Sequence, residues 1–314
     1  MRYNTYSEYL KQKYGERVYK LPVNLPITCP NRDGTCSYGG CIFCGEVGAA
    51  FENLPSAMPV SEQIKENRDF IGKKYKAGKF IAYFQNFTNT FMPLEDFKKN
   101  ISEAICDDVV EIAISTRPDC IKDEYMEFLK EISQKHSVNI SNELGLHTVN
   151  YKTLKTINRG HTLAEFIDAV ITVHKYGFEI CTHLILNLPW DDEEDVIECA
   201  KILSALKVEQ VKLHSLYIVK NTPLEKMYTN HEFDMGTYDS YVERVITFLE
   251  YLSPEIIIQR VIGRAKEEHT IFANYGTSWW KIKDKIDEEM EERDTYQGRL
   301  CSYLNGSALN KFQK

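Results

Sequence analysis

The stretch Cys29-Pro-Asn-Arg-Asp-Gly-Thr-Cys36-Ser-Tyr-Gly-Gly-Cys41-Ile-Phe-Cys44 holds four of the nine cysteines in the 314-residue chain. It follows an apolar run at residues 18–25 that predicts a β-strand. The other cysteines are scattered along the chain, and the odd total favours free thiols in a reducing compartment such as the cytoplasm. A loop of cysteines in such a chain indicates a metal or cluster site rather than a disulfide framework.

The spacing within this cysteine loop leaves two kinds of site open. Cys41 and Cys44 form a Cys-x-x-Cys pair with Cys29 upstream, and thiolates are ligands of both zinc and iron–sulfur clusters. Cys36 would complete a closed structural zinc site, which needs four protein ligands. A thioredoxin-like redox pair is the weaker interpretation, because the helix pattern expected after such a pair does not follow. Spacing alone therefore does not separate zinc from a cluster.

Short apolar runs alternate with helical patterns along the rest of the chain. After the first strand, strand candidates lie at residues 80–85, 110–115, 138–146, 180–188 and 211–218, and residues 255–261 are a possible seventh. Helix starts are indicated by Ser61, by the capping box 162–165, by the acidic run 191–194 and by Pro223. Strands that alternate with helices predict parallel strands joined by right-handed crossovers.

This alternation predicts an α/β fold, a partial (β/α)6-type TIM barrel with a C-terminal extension. We expect residues 1–252 to form the barrel with an N-terminal lead-in. Residues 253–314 are expected to form the extension, which has helical spacing at residues 279–290 and packs on the barrel. The active site of such a barrel lies at the carboxyl ends of its strands, and the cysteine loop falls at the end of the first.

Charge and hydropathy argue against several functional classes. The formal net charge is −8, which is not the overall footprint of a nucleic-acid binder, although a local basic patch such as residues 73–79 can still dock phosphates. No run is long enough for a membrane span, and the N-terminus lacks the apolar run of a signal peptide, so we expect no membrane attachment. Patterns for a serine-hydrolase triad, a Walker loop or a dinucleotide fingerprint are also missing.

The cysteine loop resembles the cluster motif of the radical S-adenosylmethionine (SAM) superfamily. More narrowly, it is similar to the YhcC/YtqA branch, which is related to the catalytic subunit of Elongator. Blocks that look like family blocks in the expected order lie at residues 83–90, 115–119, 143–148, 158–162 and 211–214 and at Gly263. The resemblance implies a [4Fe-4S] cluster on Cys29, Cys41 and Cys44, whose open iron binds SAM. Cys36 then lies outside the ligand set.

Polar residues near predicted strand ends are the candidate SAM contacts. They are Gln85, Thr88, Asn89, Ser115, Arg117, Glu143 and Arg159. Glu143 lies within an apolar strand, and a buried carboxylate needs a partner, so we expect it to face the cavity and to pair with Arg159. Arg117 is a candidate to pair with a carboxylate. His183 and His214 are candidates for substrate binding or proton transfer, with a structural role in the core as the alternative.

The resemblance implies a radical SAM enzyme that modifies tRNA. Its expected target is the C5 side chain of the wobble uridine, which it converts from carboxymethylaminomethyl to aminomethyl. The expected partners are tRNA and an electron donor such as flavodoxin or ferredoxin. Two alternatives stay open: radical chemistry on a small molecule or tetrapyrrole, which the acidic net charge favours, and a non-enzymatic zinc-binding module.

Overall fold

The structure, a computed structural model, describes residues 1–45, 54–264 and 267–312. The strands, numbered in chain order, are β1 (Val18–Val23), β2 (Lys79–Phe84), β3 (Val109–Thr116), β4 (Asn139–His147), β5 (Glu179–Ile185), β6 (Gln210–His214), β7 (Ile218–Val219), β8 (Ile257–Arg260) and β9 (Thr270–Phe272). The helices are α1 (Tyr6–Tyr14), α2 (Val60–Tyr75), α3 (Leu94–Glu103), α4 (Asp123–His136), α5 (Tyr151–Thr156), α6 (Leu163–Lys175), α7 (Glu193–Leu206), α8 (Pro223–Thr229), α9 (Tyr238–Tyr251) and α10 (Trp279–Glu292).

Seven parallel strands form one sheet in the order β1-β2-β3-β4-β5-β6-β8. This half-barrel confirms the α/β fold and the partial TIM barrel. The possible seventh strand is confirmed as β8, which pairs with β6. The segment expected to form the C-terminal extension therefore contributes a strand to the sheet, and the boundary at residue 252 stays a prediction.

The two faces of the sheet differ in chemistry, because successive side chains along a strand point to opposite faces. On the outer face, Phe84, Ile112 and Ile114 belong to the main apolar core, which packs against the helices. On the inner face, Tyr83 and Glu143 line a cavity inside the half-barrel. The alternation therefore gives the fold an apolar outer core and a polar interior.

Helix α1 closes the amino-terminal end of the half-barrel. Leu10 of α1 packs with Val18 and Ile81 in a separate apolar cluster. Tyr14 donates a hydrogen bond to Glu111 Oε2 at 2.7 Å, near the amino-terminal end of β3. Because α1 fills this end, the carboxyl ends of the strands form the open side of the cavity.

Three of the four predicted helix starts, those of α6, α7 and α8, are confirmed, and the one at Ser61 is wrong. Thr162 and Glu165 form the capping box of α6, with both reciprocal hydrogen bonds present. Ser61 does not cap α2, because this helix begins at Val60 directly after Pro59. The proline, whose ring restricts its φ, occupies the cap position and leaves Ser61 inside the first turn.

The C-terminal segment packs on α9 and on the start of β8. Helix α10 confirms the predicted helical spacing and buries Ile286 and Met290. Gln297 Nε2 donates to the carbonyls of Ser253 and Ile256 at 2.7 and 2.8 Å, which holds the turn that leads into β8. None of the helices in the described ranges is long and apolar enough to cross a membrane.

Candidate active site at the strand ends

The cysteine loop follows β1 and borders the cavity at the carboxyl ends of the strands. Cys29, Cys41 and Cys44 line this cavity, whose volume is about 460 Å³. Cys36 is exposed and is not among the described residues that line the cavity, and its thiol lies 3.6 Å from Asp119 Oδ2. The three cysteines of the family pattern thus line one cavity, and the fourth does not line it.

The segment 158–160 anchors the cysteine loop. Asn158 Nδ2 donates to the carbonyl of Gly40 at 2.8 Å, and Asn31 Nδ2 donates to the carbonyl of Asn158 at 2.5 Å. Gly160 has a φ of +76°, and a Cβ at this position would lie 2.2 Å from Asn31 Oδ1. Glycine is therefore needed here both for the left-handed backbone and for the close approach of the loop.

The groups around the thiols fit a cofactor that is bound through thiolates. Arg159 Nη1 and Asn31 Nδ2 lie 3.6 and 3.7 Å from Cys41 Sγ and donate to it. Burial raises the pKa of Cys44 to about 11, whereas the nearby charges of Arg32 and Arg159 favour the thiolate. Three thiols that line one cavity, with N–H donors at Cys41 and positive charge near Cys44, fit the ligand set of a [4Fe-4S] cluster with one open iron.

Six of the seven candidate SAM contacts line the same cavity. They are Gln85, Thr88, Ser115, Arg117, Glu143 and Arg159. Asn89 is the exception, and the expectation for it is corrected. Its buried Nδ2 donates to the carbonyls of Phe84, Asn86 and Ser115 at 2.8 to 3.0 Å. Buried carbonyls need donors, so the Asn89 amide holds the turn after β2 instead of facing the cavity.

Glu143 is the centre of a buried polar layer inside the half-barrel. Its carboxylate accepts hydrogen bonds from Lys20 Nζ at 2.5 Å and Lys212 Nζ at 2.6 Å. Tyr83 Oη donates to it at 2.7 Å. Burial alone would raise the pKa of Glu143, but the two lysines hold that pKa well below its ordinary value. The carboxylate is therefore charged and fully engaged by the chain.

The expected pairing of Glu143 with Arg159 is wrong. Arg159 Nη2 donates to the carbonyl of Gly145 at 2.7 Å, and its other end faces Cys41. The reason is register: Glu143 lies within β4, level with Ser115 of β3, whereas Arg159 lies in the loop above the strand ends. Arg159 therefore belongs to the cysteine side of the cavity.

Arg117 is buried, and its carboxylate partner lies in the chain. Its Nε and Nη2 donate to the two oxygens of Asp119 at 2.8 and 2.6 Å. Although burial would raise the pKa of Asp119, this bidentate pairing lowers it. Arg117 Nη1 also donates to the carbonyl of Arg159 at 2.8 Å. Arg117 thus supports the segment 158–160 as well as lining the cavity.

Two histidines form part of the cavity wall on β5 and β6. His183 Nε2 donates to Glu143 Oε2 at 2.8 Å, and its ring stacks on that of His214 with centroids 5.3 Å apart. Burial lowers the pKa of His183 to about 4 and holds that of His214 well below its ordinary value, so both imidazoles are neutral at pH 7. Glu143, Cys181 and His183 bring potential metal-ligand atoms within 4.8 Å of one another, but the two lysines on Glu143 oppose a cation there.

Arg260 is a cavity residue that the sequence candidates do not include. It is the last residue of β8, and its Nη2 lies 2.9 Å from His214 Nδ1. The sequence does contain a signal that points to Arg260. Residues 255–261 are a strand candidate, and a charged residue at the carboxyl end of a barrel strand faces the active site.

The neighbouring residues Leu216 and Tyr217 both line the cavity. Side chains of a strand point alternately to its two faces, but β6 ends at His214, so this alternation does not apply to Leu216 and Tyr217.

Comparison with known proteins places the chain in a family. A radical SAM superfamily model matches residues 33–203, and a radical SAM C-terminal domain model matches residues 208–292. The uncharacterized protein YtqA of Bacillus subtilis is 35% identical over 304 residues, covering 96% of this chain and 94% of that protein. Protein YhcC of Escherichia coli is 27% identical over 309 residues, covering 98% and 96%. The tRNA uridine(34) acetyltransferase of Methanocaldococcus jannaschii is 24% identical over 289 residues, which is 78% of this chain and 51% of that protein.

A solved structure shares the fold. Archaeal Elp3 of Methanocaldococcus infernus, with an N-terminal deletion, matches with a TM-score of 0.69 at 15% sequence identity, covering 89% of this chain and 64% of the other. At that identity the likeness concerns the fold, and it agrees with the half-barrel described above. Together with the family model that covers more than half of the sequence, these relatives show that the chain belongs to the radical SAM superfamily, a family of enzymes that use SAM.

Proposed function

We propose that this radical SAM enzyme acts on tRNA and converts the C5 side chain of the wobble uridine from carboxymethylaminomethyl to aminomethyl. The observation that carries the proposal is the charge of the cavity wall. Among its described lining residues are five arginines and one glutamate, in a chain of net charge −8. Such a wall suits an acidic substrate group. The name of the M. jannaschii relative, which refers to uridine 34 of tRNA, supports the choice of nucleoside.

In this proposal, Cys29, Cys41 and Cys44 hold the [4Fe-4S] cluster. The lining candidates other than Glu143 contact SAM, and Glu143, which the chain engages fully, keeps the shape of the cavity. When bound, the cluster and SAM supply a radical that removes a hydrogen atom from the substrate. The protein chain encloses the site in which this reaction takes place. Helix α1 closes the far end of the half-barrel against solvent, and Glu143 orients Tyr83 through its hydrogen bond. A flavodoxin or ferredoxin supplies the electron, and the target base leaves its stack to enter the cavity.

The proposed conversion balances without a further oxidant. It consumes one SAM and one water, and it releases methionine, 5′-deoxyadenosine and glyoxylate together with the aminomethyl product. The carbon between the amine nitrogen and the carboxylate is oxidised by two electrons, and the carbon–sulfur bond of SAM is reduced by two. The bond from nitrogen to that carbon breaks, the nitrogen keeps the electron pair and gains a proton from water, and the starting electron is returned.

Mass spectrometry of tRNA treated with the anaerobically reconstituted enzyme tests this function. We expect a decrease in mass at the wobble nucleoside that corresponds to loss of the carboxymethyl group and requires both SAM and a reductant. Glyoxylate and 5′-deoxyadenosine should form in equal amounts. The Cys41→Ser variant, which lacks one proposed cluster ligand, is the matched control. Turnover of SAM with tRNA present but no change at that nucleoside contradicts the proposed substrate.

Two other outcomes of the same experiment would redirect the assignment. If a small acidic molecule stimulates 5′-deoxyadenosine formation and RNA does not, the substrate is a small molecule. If the anaerobically purified protein holds one zinc and neither iron nor sulfide, the cluster itself is contradicted. Metal analysis of the purified protein therefore precedes the assay.

A further inference from the structure

Arg260 is a cavity arginine whose charge lacks an acidic partner within the described ranges. It forms no salt bridge there, and its buried Nε has no hydrogen-bond partner among the described residues. The cavity arginine Arg117, by contrast, binds Asp119 through two hydrogen bonds. A buried polar atom without a partner at the wall of a cavity indicates a ligand group that is not part of the chain.

The neighbours of Arg260 do not supply the missing negative charge. Burial, and then Arg260 itself, holds the pKa of His214 well below its ordinary value, so the imidazole is neutral beside the guanidinium. Burial raises the pKa of Tyr217 to about 12, so its phenol is neutral as well. The Tyr217 hydroxyl is also buried and makes no hydrogen bond within the described residues. A cation in such surroundings is costly until an anion joins it.

Gly263 brings these side chains into one corner of the cavity. A Cβ at this position would lie 2.3 Å from Tyr217 Oη and 3.5 Å from His214 Nδ1. Glycine therefore lets the phenol lie against the backbone beside the imidazole that contacts Arg260. We call His214, Tyr217 and Arg260 together the Arg260 corner.

We propose that the Arg260 corner binds a carboxylate of the substrate. A guanidinium can take a carboxylate through two parallel hydrogen bonds, and the phenol hydroxyl can donate a third. The identity of the group as the carboxymethyl end of the uridine side chain rests on the proposed function. The expectation that an anion binds here rests on the positive charge of Arg260, which has no acidic partner among the described residues. The carboxylate of SAM has the same chemistry, so the test must separate these two sources.

Calorimetry with two nucleosides, 5-carboxymethylaminomethyluridine and 5-aminomethyluridine, tests the corner. The reconstituted enzyme is titrated in the presence of SAM and without reductant, so that no turnover occurs. We expect the wild type to bind the carboxylated nucleoside about 10- to 100-fold more tightly, the range of a charge-assisted hydrogen-bonded pair. Arg260→Gln should abolish this preference, Arg260→Lys should keep part of it, and Tyr217→Phe should reduce it less than Arg260→Gln does.

Controls and SAM affinity decide between the possible outcomes. Arg17→Gln removes an exposed arginine that is outside the described lining of the cavity, so it should keep the full preference. Equal binding of the two nucleosides by the wild type overturns the proposal. A kept preference with weakened SAM binding in Arg260→Gln assigns the corner to the SAM carboxylate and also overturns it. If Arg260→Gln does not fold, which a loss of all binding would reveal, Arg260→Lys and Tyr217→Phe carry the comparison.

The corner and the proposed reaction can fail separately. A preference in the wild type that is lost in Arg260→Gln supports the corner even if tRNA carrying the same nucleoside is not converted. That combination would contradict the reaction and leave the carboxylate site in place.

Discussion

Two layers of polar side chains inside the half-barrel differ in how completely their hydrogen bonds are satisfied. In the lower layer, every side chain is bonded to another member; the layer consists of Lys20, Tyr83, Glu143 and Lys212. In the upper layer, at the strand ends, every side chain has a buried polar atom without a partner among the described residues; the layer consists of His147, Arg159, Tyr217 and Arg260. All four upper-layer residues line the cavity that the cysteines border.

This difference separates groups that hold the fold from groups that bind ligands. A buried polar network that is fully satisfied makes a structure rigid. Four buried polar atoms without partners among the described residues border this one cavity, where a ligand or water can reach them. We therefore propose that the lower layer keeps the shape of the half-barrel and that the upper layer binds ligands. The following changes act on these layers or on residues beside them, and they test this division.

The largest effect is expected at the cysteine loop, which borders the upper layer. Cys41→Ser should abolish iron binding and SAM cleavage, because a cluster with three cysteine ligands loses one of them. Cys36→Ala is the matched control and should keep both, since Cys36 is exposed and does not line the cavity that the other three border. Iron and sulfide analysis and visible absorbance after anaerobic reconstitution measure the result. Loss of iron in Cys36→Ala would contradict the three-cysteine assignment.

Loss of the lower layer's carboxylate should lower stability rather than ligand binding. Glu143→Gln leaves Lys20 and Lys212 close together without a counter-charge, so we expect the free energy of unfolding to fall by about 3–5 kcal/mol. Lys212→Met is the matched comparison and should cost less, because Glu143 keeps Lys20. Urea denaturation measures both variants. Equal losses would show that Glu143 is not the centre of the layer.

Acid should weaken the half-barrel through its buried histidines. The pKa of His183 is about 4 in the folded protein against an ordinary value of 6.5, mainly because of burial. The unfolded chain therefore binds the proton more readily between these values. The free energy of unfolding should fall by up to about 3 kcal/mol as the pH drops from 6.5 toward 4.

Urea denaturation at several pH values checks the His183 prediction. The His183→Gln variant should show a shallower dependence over the same range. It should keep part of the slope, because the pKa of His214 is shifted in the same direction. A slope identical to that of the wild type would contradict a neutral, buried His183.

What the sequence could predict depends on how far apart the interacting residues are. The alternation of strands and helices and the capping box at Thr162 depend on neighbours in the chain, and both are confirmed. The hydrogen-bond partners of Glu143, in contrast, are determined by the register between strands. Lys20 lies 123 residues from Glu143 and Lys212 lies 69 residues from it, so no local pattern points to them. The nearer polar residue, Arg159, was therefore the wrong partner to expect.

Asn89 and Arg260 show a second limit of the sequence. Both are polar residues at the ends of strands, where barrel enzymes place their functional groups. The Asn89 amide is used by the backbone, because it donates to carbonyls at the end of β2, in the turn that follows and on β3. Arg260 faces the cavity because the four-residue strand β8 ends at it. Whether such a polar residue binds the backbone or faces the cavity is decided by the local turn, and residue type alone does not predict it.

The smallest effect is expected at the anchor of the cysteine loop. Gly160 and Gly177 have left-handed φ values of +76° and +77°, so alanine at either position should cost about 1–2 kcal/mol through backbone strain. At Gly160 the new Cβ would also meet Asn31 Oδ1 at 2.2 Å, whereas at Gly177 it would meet no described atom within 4 Å. Gly160→Ala should therefore release iron to a chelator faster than Gly177→Ala under conditions in which both variants are folded. Equal release rates would show that the segment 158–160 does not hold the cysteine loop in place.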